Sequence, residues 1–216
     1  MRMRKKKHGA ERIEACSHLL IRPDESFVRD PESAFSVPRP LHLEIGCGKG
    51  NFAVGMAALH KDINFIAMEK IADVACLALE KAEAARETRD DNLRFIIGDA
   101  KNLPEYFPRG SVDCIYLNFS DPWPKSGHAK RRLTYRSFLE IYKGLLKPQG
   151  MLKLKTDNEG LFDFSLEEFA EFGLEIVWQT RDLHASEYNE GNVMTEYEKN
   201  FSEKGQPIYS AHVRFN

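Results

Sequence analysis

The feature that most constrains the fold of this chain is the repeated alternation of short apolar runs with longer amphipathic segments. Apolar runs that stop at a glycine, an acid or a proline are typical of buried strands, and apolar residues at helical spacing predict helices. Five such runs predict strands over residues 41–46, 63–68, 93–97, 112–119 and 151–156. The segments between and after them predict helices over residues 51–60, 71–88, 133–146 and 161–172.

Strand–helix units in succession predict a mainly parallel sheet, because parallel neighbours need a crossover and helices are the usual crossovers. Two further runs, residues 174–179 and 208–215, predict strands near the end of the sequence. We therefore predict an α/β fold with a doubly wound, mainly parallel sheet of seven strands and helices on both faces. The polar, acidic connection over residues 182–206 is long for a loop inside a domain, and such loops are usually functional.

The length of 216 residues, with 42% hydrophobic and 30% charged residues, predicts one globular domain over residues 1–216. We expect residues 1–35 to form a basic N-terminal extension that can be flexible. No apolar run reaches the roughly 20 residues of a membrane span, and the charged start lacks a signal-peptide core, so we expect a cytoplasmic protein. The four cysteines lack metal-ligand spacing, which predicts buried thiols.

The net charge of −2 hides two strongly basic runs. Residues 1–12 hold six Lys or Arg and one acid, and residues 125–136 hold five Lys or Arg and no acid. A polyanion would dock on such runs. The alternative is a solvated surface or, for the first run, a disordered tail. The basic side chains of the second run are Lys125, Lys130, Arg131, Arg132 and Arg136.

An acidic residue stands at or near the end of each of the first four predicted strands: Glu44, Glu69, Asp99 and Asp121. In an open α/β sheet, ligands bind beyond the carboxyl ends of the strands at the point where the strand order reverses. One such carboxylate is more often a helix cap or a solvated loop residue. Four of them at one edge of the sheet predict a ligand site.

The glycine turn Gly46-Cys47-Gly48-Lys49-Gly50 is close to a dinucleotide-binding motif, but its last glycine comes one residue early and an acid precedes its first. That acid disfavours a pyrophosphate and suits a cation. S-adenosyl-L-methionine fits better than NAD, with Glu44 near its cationic groups, Glu69 accepting from its ribose hydroxyls and Asp99 near its adenine. A purely structural glycine turn is the alternative.

Several motifs along nearly the whole chain resemble the bacterial tRNA (guanine-N7-)-methyltransferase family. They are EIGCGKG at 44–50, GDA at 98–100, YLNFSDPWPKSGHAKRRL at 116–133, KTDN at 155–158 and MTEYE at 194–198, together with Glu69. The glycine motif occurs in many methyltransferases, whereas the later motifs in this order are specific. The resemblance implies a Rossmann-like, S-adenosyl-L-methionine-dependent enzyme that methylates a guanine in the variable loop of tRNA.

The resemblance also implies a role for individual residues. Cofactor contacts are implied at Glu44, Gly46, Gly48, Gly50, Glu69, Asp99 and Asp121. Substrate contacts are implied at Lys125, Asp157, Thr195, Glu196, Tyr197 and Glu198. RNA contacts are implied at Gly127, His128, Ala129, Lys130, Arg131 and Arg132.

The chemistry of guanine N7 agrees with these roles. N7 carries a lone pair and no proton, so positioning dominates and no general base is needed. We expect Asp121 to be the catalytic residue, because its carboxylate can stabilise the charge that develops on the base, while Lys125 can donate to O6 or a phosphate. Trp123 can stack on a base or pack beneath the loop, and we favour packing. We expect no metal, and surface or RNA-contact roles for His128 and His184.

Two other functions remain open. The FSDPWP segment is similar to the loops of enzymes that methylate exocyclic amines in nucleic acids. The chain could also be a non-catalytic RNA-binding module, although Glu44, Glu69 and the three glycines argue against it. The sequence leaves the oligomeric state open between monomer and homodimer, and does not identify the preferred tRNAs.

Overall fold

A mixed β-sheet forms the centre of the computed structural model, which describes residues 7–215. The strands are β1 (Leu20–Ile21), β2 (Leu41–Ile45), β3 (Asn64–Glu69), β4 (Leu93–Ile97), β5 (Val112–Asn118), β6 (Leu146–Thr156), β7 (Glu175–Thr180) and β8 (Tyr209–Arg214). Their order in the sheet is β1-β4-β3-β2-β5-β6-β8-β7. Neighbours from β1 to β6 are parallel, and β8 is antiparallel to both β6 and β7.

The predicted fold class is confirmed, with two changes at the strand level. All seven predicted strands are present, and the two-residue β1 extends the sheet beside β4. It is too short to show a periodicity in the sequence. The fifth predicted strand begins at residue 146 rather than 151, because Val112 pairs with Leu146 before a register shift brings Cys114 opposite Met151. The intervening Pro148 and Gly150 are therefore accommodated by an irregularity in the ladder.

Eight α-helices accompany the sheet in the described range 7–215. They are α1 (Gly9–Ala15), α2 (Glu25–Arg29), α3 (Asn51–Leu59), α4 (Ala72–Ala84), α5 (Leu103–Tyr106), α6 (Arg136–Leu145), α7 (Glu159–Phe172) and α8 (Glu196–Ser202). One core cluster holds apolar residues of α2, α5, α6 and α7, and a second holds those of α3 and α4. These two clusters confirm the prediction of helices on both faces.

The N-terminal segment packs against this core from residue 9 onward. The guanidinium of Arg12 in α1 donates two 2.6 Å hydrogen bonds to the carboxylate of Glu80 in α4. Leu19 and Phe27 are buried. Apolar side chains of residues 9–35 therefore belong to the two clusters, and the flexibility of the N-terminal extension stays a prediction. Residues 1–6, which hold most of the first basic run, lie outside the described residues.

The strand order fixes where a ligand can bind. From β2 the chain winds to β3 and β4 on one side and returns to β5 and β6 on the other. The order therefore reverses beside β2, and the turns after β2, β3, β4 and β5 meet at one edge of the sheet. Among residues 7–215, no helix has the length and apolarity needed to cross a membrane.

Candidate active site

Two adjoining cavities open at this edge of the sheet. The larger has a volume of about 550 Å³ and is lined by Glu69, Asp99 and Asp121 among other residues. The smaller has a volume of about 310 Å³ and is lined by Glu44. Gly46 and Phe119 border both cavities. The four acids predicted from the strand ends therefore lie at one continuous site, divided between its two parts.

The glycine turn between β2 and α3 uses backbone conformations that favour glycine. Gly46, Gly48 and Gly50 have φ angles of +80°, +57° and +78°. The amides of Gly46 and Cys47 both donate to the carbonyl of Met68, at 2.8 and 2.9 Å, which joins the turn to the end of β3. A Cβ on Gly50 would lie 2.8 Å from the Cβ of Ala78, so glycine is also needed for the close approach of α4.

Glu44 is the most unusual carboxylate of the site. It is 4% exposed, and its Oε1 accepts a 2.9 Å hydrogen bond from Nδ2 of Asn118. Its Oε2 is buried and makes no hydrogen bond of standard geometry among the described residues, although the nearby Ala53 amide helps to lower the pKa of the group. Burial raises the pKa of Glu44 to about 7, against the opposing effects of Asn118 and Lys155. A buried acceptor without a donor is rare, and a cation would satisfy it.

Glu69 and Asp99 are held by different partners. The two carboxylate oxygens of Glu69 accept from the amides of Gly48 at 3.1 Å and Ile71 at 2.9 Å, so its orientation is fixed by the turns on either side. Asp99 accepts from Nζ of Lys70 at 2.7 Å. This interaction lowers the pKa of Asp99 and keeps it ionised. Both residues line the larger cavity, and each carboxylate has more acceptor sites than the two donors that it binds within the protein.

The loop after β5 carries Asp121 in a constrained backbone. Phe119 and Trp123 have φ angles of +52° and +41°, which side-chain-bearing residues rarely adopt. Pro122 and Pro124 further restrict the loop. Asp121 is exposed and lines the larger cavity. The sequence therefore places its carboxylate on a stiff loop at the rim.

Trp123 is half-buried and lines the larger cavity, rather than joining the apolar core. The guanidinium of Arg131 lies over its ring at 4.8 Å, and the His128 ring meets it edge-on at 5.7 Å. Our preference for packing beneath the loop as core is therefore wrong. The ring packs against the basic segment because the loop turns it toward the rim.

The predicted basic run divides into two groups. Lys125, Lys130 and Arg131 are exposed. Lys125 precedes the 3₁₀ turn over Ser126–Arg131, and the other two lie in it with Gly127, His128 and Ala129. Arg132 instead donates from Nε to the Pro122 carbonyl at 3.0 Å and from Nη2 to the Trp123 carbonyl at 3.1 Å. Arg136 donates to Glu168. Nε and Nη2 of Arg132 and of Arg136 are thus engaged within the protein, and phosphate contacts by these two residues stay a prediction.

The connection over 182–206 is attached to the sheet through a buried network around Glu198. Glu198 is fully buried and accepts from Nζ of Lys155 at 2.8 Å, Nδ2 of Asn192 at 2.7 Å and Nε2 of His184 at 3.0 Å. Burial raises the pKa of Glu198, but Lys155 and the hydrogen bonds outweigh it and lower the pKa overall. Glu198 also completes a capping box with Thr195 at the start of α8.

Glu198 is therefore not positioned for the direct substrate contact that the sequence predicted. Its oxygens are occupied by donors from the protein, and it lines neither of the two cavities. His184, expected at the surface or on RNA, is half-buried in the same network. The sequence analysis missed Lys155, although a lysine in the alternating run of β6 was a signal for a buried partner.

The other predicted substrate-contact residues of the MTEYE motif at 194–198 do lie at the site. Thr195, Glu196 and Tyr197 line the smaller cavity. Glu196 accepts from Nζ of Lys49 at 2.9 Å, which links α8 to the glycine turn. The pKa of Tyr197 is raised by partial burial and by its hydrogen bond with Asp157. The structure thus brings together the end of β6 and the connection over 182–206, as the sequence predicted.

Phe119 is a further site residue that the sequence analysis did not single out. Its ring centroid lies 5.3 Å from that of Tyr197, and its amide donates to the Lys155 carbonyl at 2.8 Å. It thereby joins the loop of Asp121 to both β6 and α8. Within residues 7–215, no group of three or more His, Cys, Asp or Glu side chains has an arrangement that could hold a metal ion.

The described site can be compared with known proteins. A family model described as a methyltransferase matches residues 38–211 of the chain. The chain belongs to this family. The match covers the glycine turn, the loop of Asp121 and the late motif, so all parts of the site fall within it.

Curated relatives match this family member over its full length. It is 49% identical over 215 residues to a tRNA (guanine-N(7)-)-methyltransferase of Limosilactobacillus reuteri (strain DSM 20016), covering 100% of each chain. It is 44% identical over 216 residues to the protein of the same name in Lactococcus lactis subsp. cremoris (strain SK11), covering 100% of this chain and 98% of the relative.

A solved structure shows the same fold at much lower identity. The 16S rRNA methyltransferase KamB matches with a TM-score of 0.66 and 11% identity, covering 91% of this chain and 95% of that one. At this identity the likeness concerns the architecture alone. It supports the Rossmann-like methyltransferase fold that the sheet order already shows.

Proposed function

We propose that this chain is a tRNA methyltransferase that transfers the methyl group of S-adenosyl-L-methionine to N7 of a guanine in the variable loop of tRNA. The full-length relatives named tRNA (guanine-N(7)-)-methyltransferase support the substrate and the position. The observation that carries the cofactor assignment is the buried Glu44 Oε2 without a donor, next to a glycine turn and a cavity lined by carboxylates.

The residues present fit this cofactor. Glu44 would accept from the ammonium group, and Glu69, already oriented by two amides, would accept from the ribose hydroxyls. Asp99 would lie near the adenine, with Lys70 sharing its carboxylate. Gly46 and Gly48 have open space where a Cβ would point, so the backbone can be approached closely. When bound, the cofactor supplies a methyl group activated by a sulfonium.

The remaining residues would bind and orient the guanine. Asp121 stands exposed at the larger cavity, where its carboxylate stabilises the positive charge that develops on the methylated base. Lys125 follows on the same loop, and Asp157 is hydrogen-bonded to Tyr197, which lines the smaller cavity. No proton has to leave N7, so these groups act by position and charge. The exposed Lys130 and Arg131 extend the rim toward tRNA phosphates.

The test is nucleoside analysis of tRNA after incubation with methyl-labelled cofactor. The expected product is 7-methylguanosine, and it should be absent with Asp121→Asn. A methylated exocyclic amine would replace the proposal by the amino-methyltransferase alternative, and the lack of any label would favour the RNA-binding module. The cytoplasmic location and the choice between monomer and homodimer remain predictions from the sequence.

A further inference from the structure

Arg132 is the residue of the Lys130-Arg131-Arg132 triplet whose side chain is hydrogen-bonded to the backbone of the Asp121 loop. Its Nε and Nη2 donate to two successive carbonyls, those of Pro122 and Trp123, at 3.0 and 3.1 Å. These carbonyls follow directly after Asp121 in the sequence. The side chain is half-buried, whereas Lys130 and Arg131 are exposed.

The two hydrogen bonds lie where the loop is strained. Trp123 has a φ of +41°, a conformation that is unfavourable for a residue with a side chain and persists only when its surroundings hold it. Trp123 lacks the αL tolerance of glycine, and the prolines on both sides cannot donate backbone hydrogen bonds. Arg132 therefore supplies the donors that the loop itself does not have.

The Arg132 guanidinium also packs against a residue of α7. It lies over the ring of Phe164 in α7 at 4.2 Å. The segment that carries it is joined to α7 at two further points, because Ser165 Oγ donates to Thr134 Oγ1 at 2.8 Å and Arg136 pairs with Glu168. The loop of Asp121 is thus connected through Arg132 to a 14-residue helix on the far side of the basic turn.

We infer that Arg132 is a positioning residue for Asp121 and is not a phosphate contact. This inference rests on the proposed function, since it gives Asp121 its role. Arg132 fixes the backbone of the two residues after Asp121 and so holds the carboxylate at the cavity. The neighbouring Lys130 and Arg131 keep the tRNA-facing role.

The choice of arginine supports this role. The carbonyls of two consecutive residues need two donors in a fixed plane. The guanidinium group of arginine provides these donors, and the ammonium of lysine does not. A flat guanidinium can also stack on Phe164. A phosphate contact has no such requirement, because a lysine can neutralise a phosphate as a point charge. The two roles therefore predict opposite results for Arg132→Lys.

The experiment compares Arg132→Lys, Arg132→Met and Phe164→Leu with Lys130→Met, and uses Arg29→Met on α2 as a surface control. For each variant, kcat and the KM for tRNA are measured, together with the slope of log binding constant against log salt concentration. Hydrogen exchange of the backbone amides over residues 119–131 is measured in the free protein. Thermal unfolding shows that each variant is folded.

Arg132→Lys is expected to lower kcat on the order of 10- to 100-fold, because small displacements of a catalytic group have effects of this size. It should leave the salt slope unchanged. Phe164→Leu does not change the charge and should also lower kcat. Arg132→Lys and Phe164→Leu should both show faster hydrogen exchange over residues 119–131. Lys130→Met should instead flatten the salt slope by up to about one unit. Arg29→Met should match the parent protein in every measurement.

A wild-type kcat for Arg132→Lys, combined with a flatter slope for Arg132→Met, would overturn the inference and return Arg132 to the phosphate contacts. Unchanged exchange over residues 119–131 in Arg132→Met and Phe164→Leu would also overturn it. Exchange and tRNA binding need no turnover, so they decide the role of Arg132 in the loop even if the protein forms no 7-methylguanosine. In that case the proposed function fails separately.

Discussion

Lys155 and Glu198 form an ion pair inside the protein, with 2.8 Å between Nζ and Oε2 and almost no exposure of either side chain. The pair joins β6 to the connection over 182–206 and so holds Thr195 and Tyr197 at the smaller cavity. Removing one partner of a buried pair leaves an uncompensated charge, which destabilises far more than removing both. The pair therefore offers a direct test of whether Glu198 acts by holding this connection in place.

Lys155→Met should raise the KM for tRNA at least about tenfold, because the buried Glu198 loses its counter-ion and the connection detaches. The double variant Lys155→Met with Glu198→Gln should recover most of the loss. Steady-state kinetics of the two single variants and the double variant give the coupling. If the double variant is no better than Lys155→Met, Glu198 has a direct role in substrate binding that charge balance does not explain.

The raised pKa of Glu44 predicts a pH dependence of both stability and cofactor binding. In the free protein the pKa is about 7, above the ordinary value of 4.5, so the folded state holds a proton that the unfolded state has lost between these pH values. The contribution of Glu44 to the free energy of unfolding is fully present below pH 4.5. It is lost as the pH rises to 7, by roughly 3 kcal/mol at most. A cationic ligand needs the ionised form, so cofactor affinity should rise more than about tenfold from pH 5 to pH 7.

Glu44→Gln is the matched variant for this prediction. It keeps an oxygen that can accept from Asn118 but cannot ionise, so both pH dependences should become flatter. Thermal unfolding and calorimetric titration of the cofactor over this pH range provide the measurements. An equally steep dependence in Glu44→Gln would assign it to another group.

Asp121→Ala should abolish methyl transfer while leaving the fold intact. The side chain is exposed, so its removal costs little stability, and the melting temperature should change by less than about 2 °C. The loss of a charge placed to stabilise the transition state should reduce kcat by a factor on the order of 10² to 10³. Single-turnover assays with saturating cofactor and tRNA measure this step. Near wild-type turnover would remove Asp121 from the catalytic role.

The two halves of the basic run should respond differently to the loss of charge. Replacing Lys130 and Arg131 together by Met should flatten the salt dependence of tRNA binding by up to about one unit per lost contact. Arg136→Met should leave that slope unchanged and lower the melting temperature, because the buried Glu168 loses its cationic partner and keeps only the amide of residue 136 as a donor. Filter binding at several salt concentrations separates the two effects. A flatter slope for Arg136→Met would show that this residue also faces the tRNA.

The sequence was sufficient to predict the elements that have a clear pattern of apolar residues or a glycine-rich turn. The apolar runs before Gly46, Glu69 and Asp99 gave the strand ends and hence the edge at which the site lies, because burial on both faces leaves a clear signal in the residues. The glycine turn was predictable for a similar reason, since its three positive φ angles favour glycine.

The remaining features depend on contacts between distant residues. Charge alone does not distinguish Arg132 from Lys130, and only the carbonyls of Pro122 and Trp123 explain why one points inward. The burial of Glu198 likewise depends on Lys155, which lies 43 residues earlier in the chain. Such pairings are formed by tertiary packing, and a local pattern does not identify the distant partner.

The position of β8 has a consequence for how the molecule is made. β7 contacts the sheet only through β8, which lies between it and β6. During synthesis from the N-terminus, β7 therefore stays unpaired until residues 209–214 have emerged. The carboxylates Glu44, Glu69, Asp99 and Asp121 all precede that point, on strands that can already pair. A growing chain would thus have all four carboxylates of the site before the late residues that close the smaller cavity had emerged.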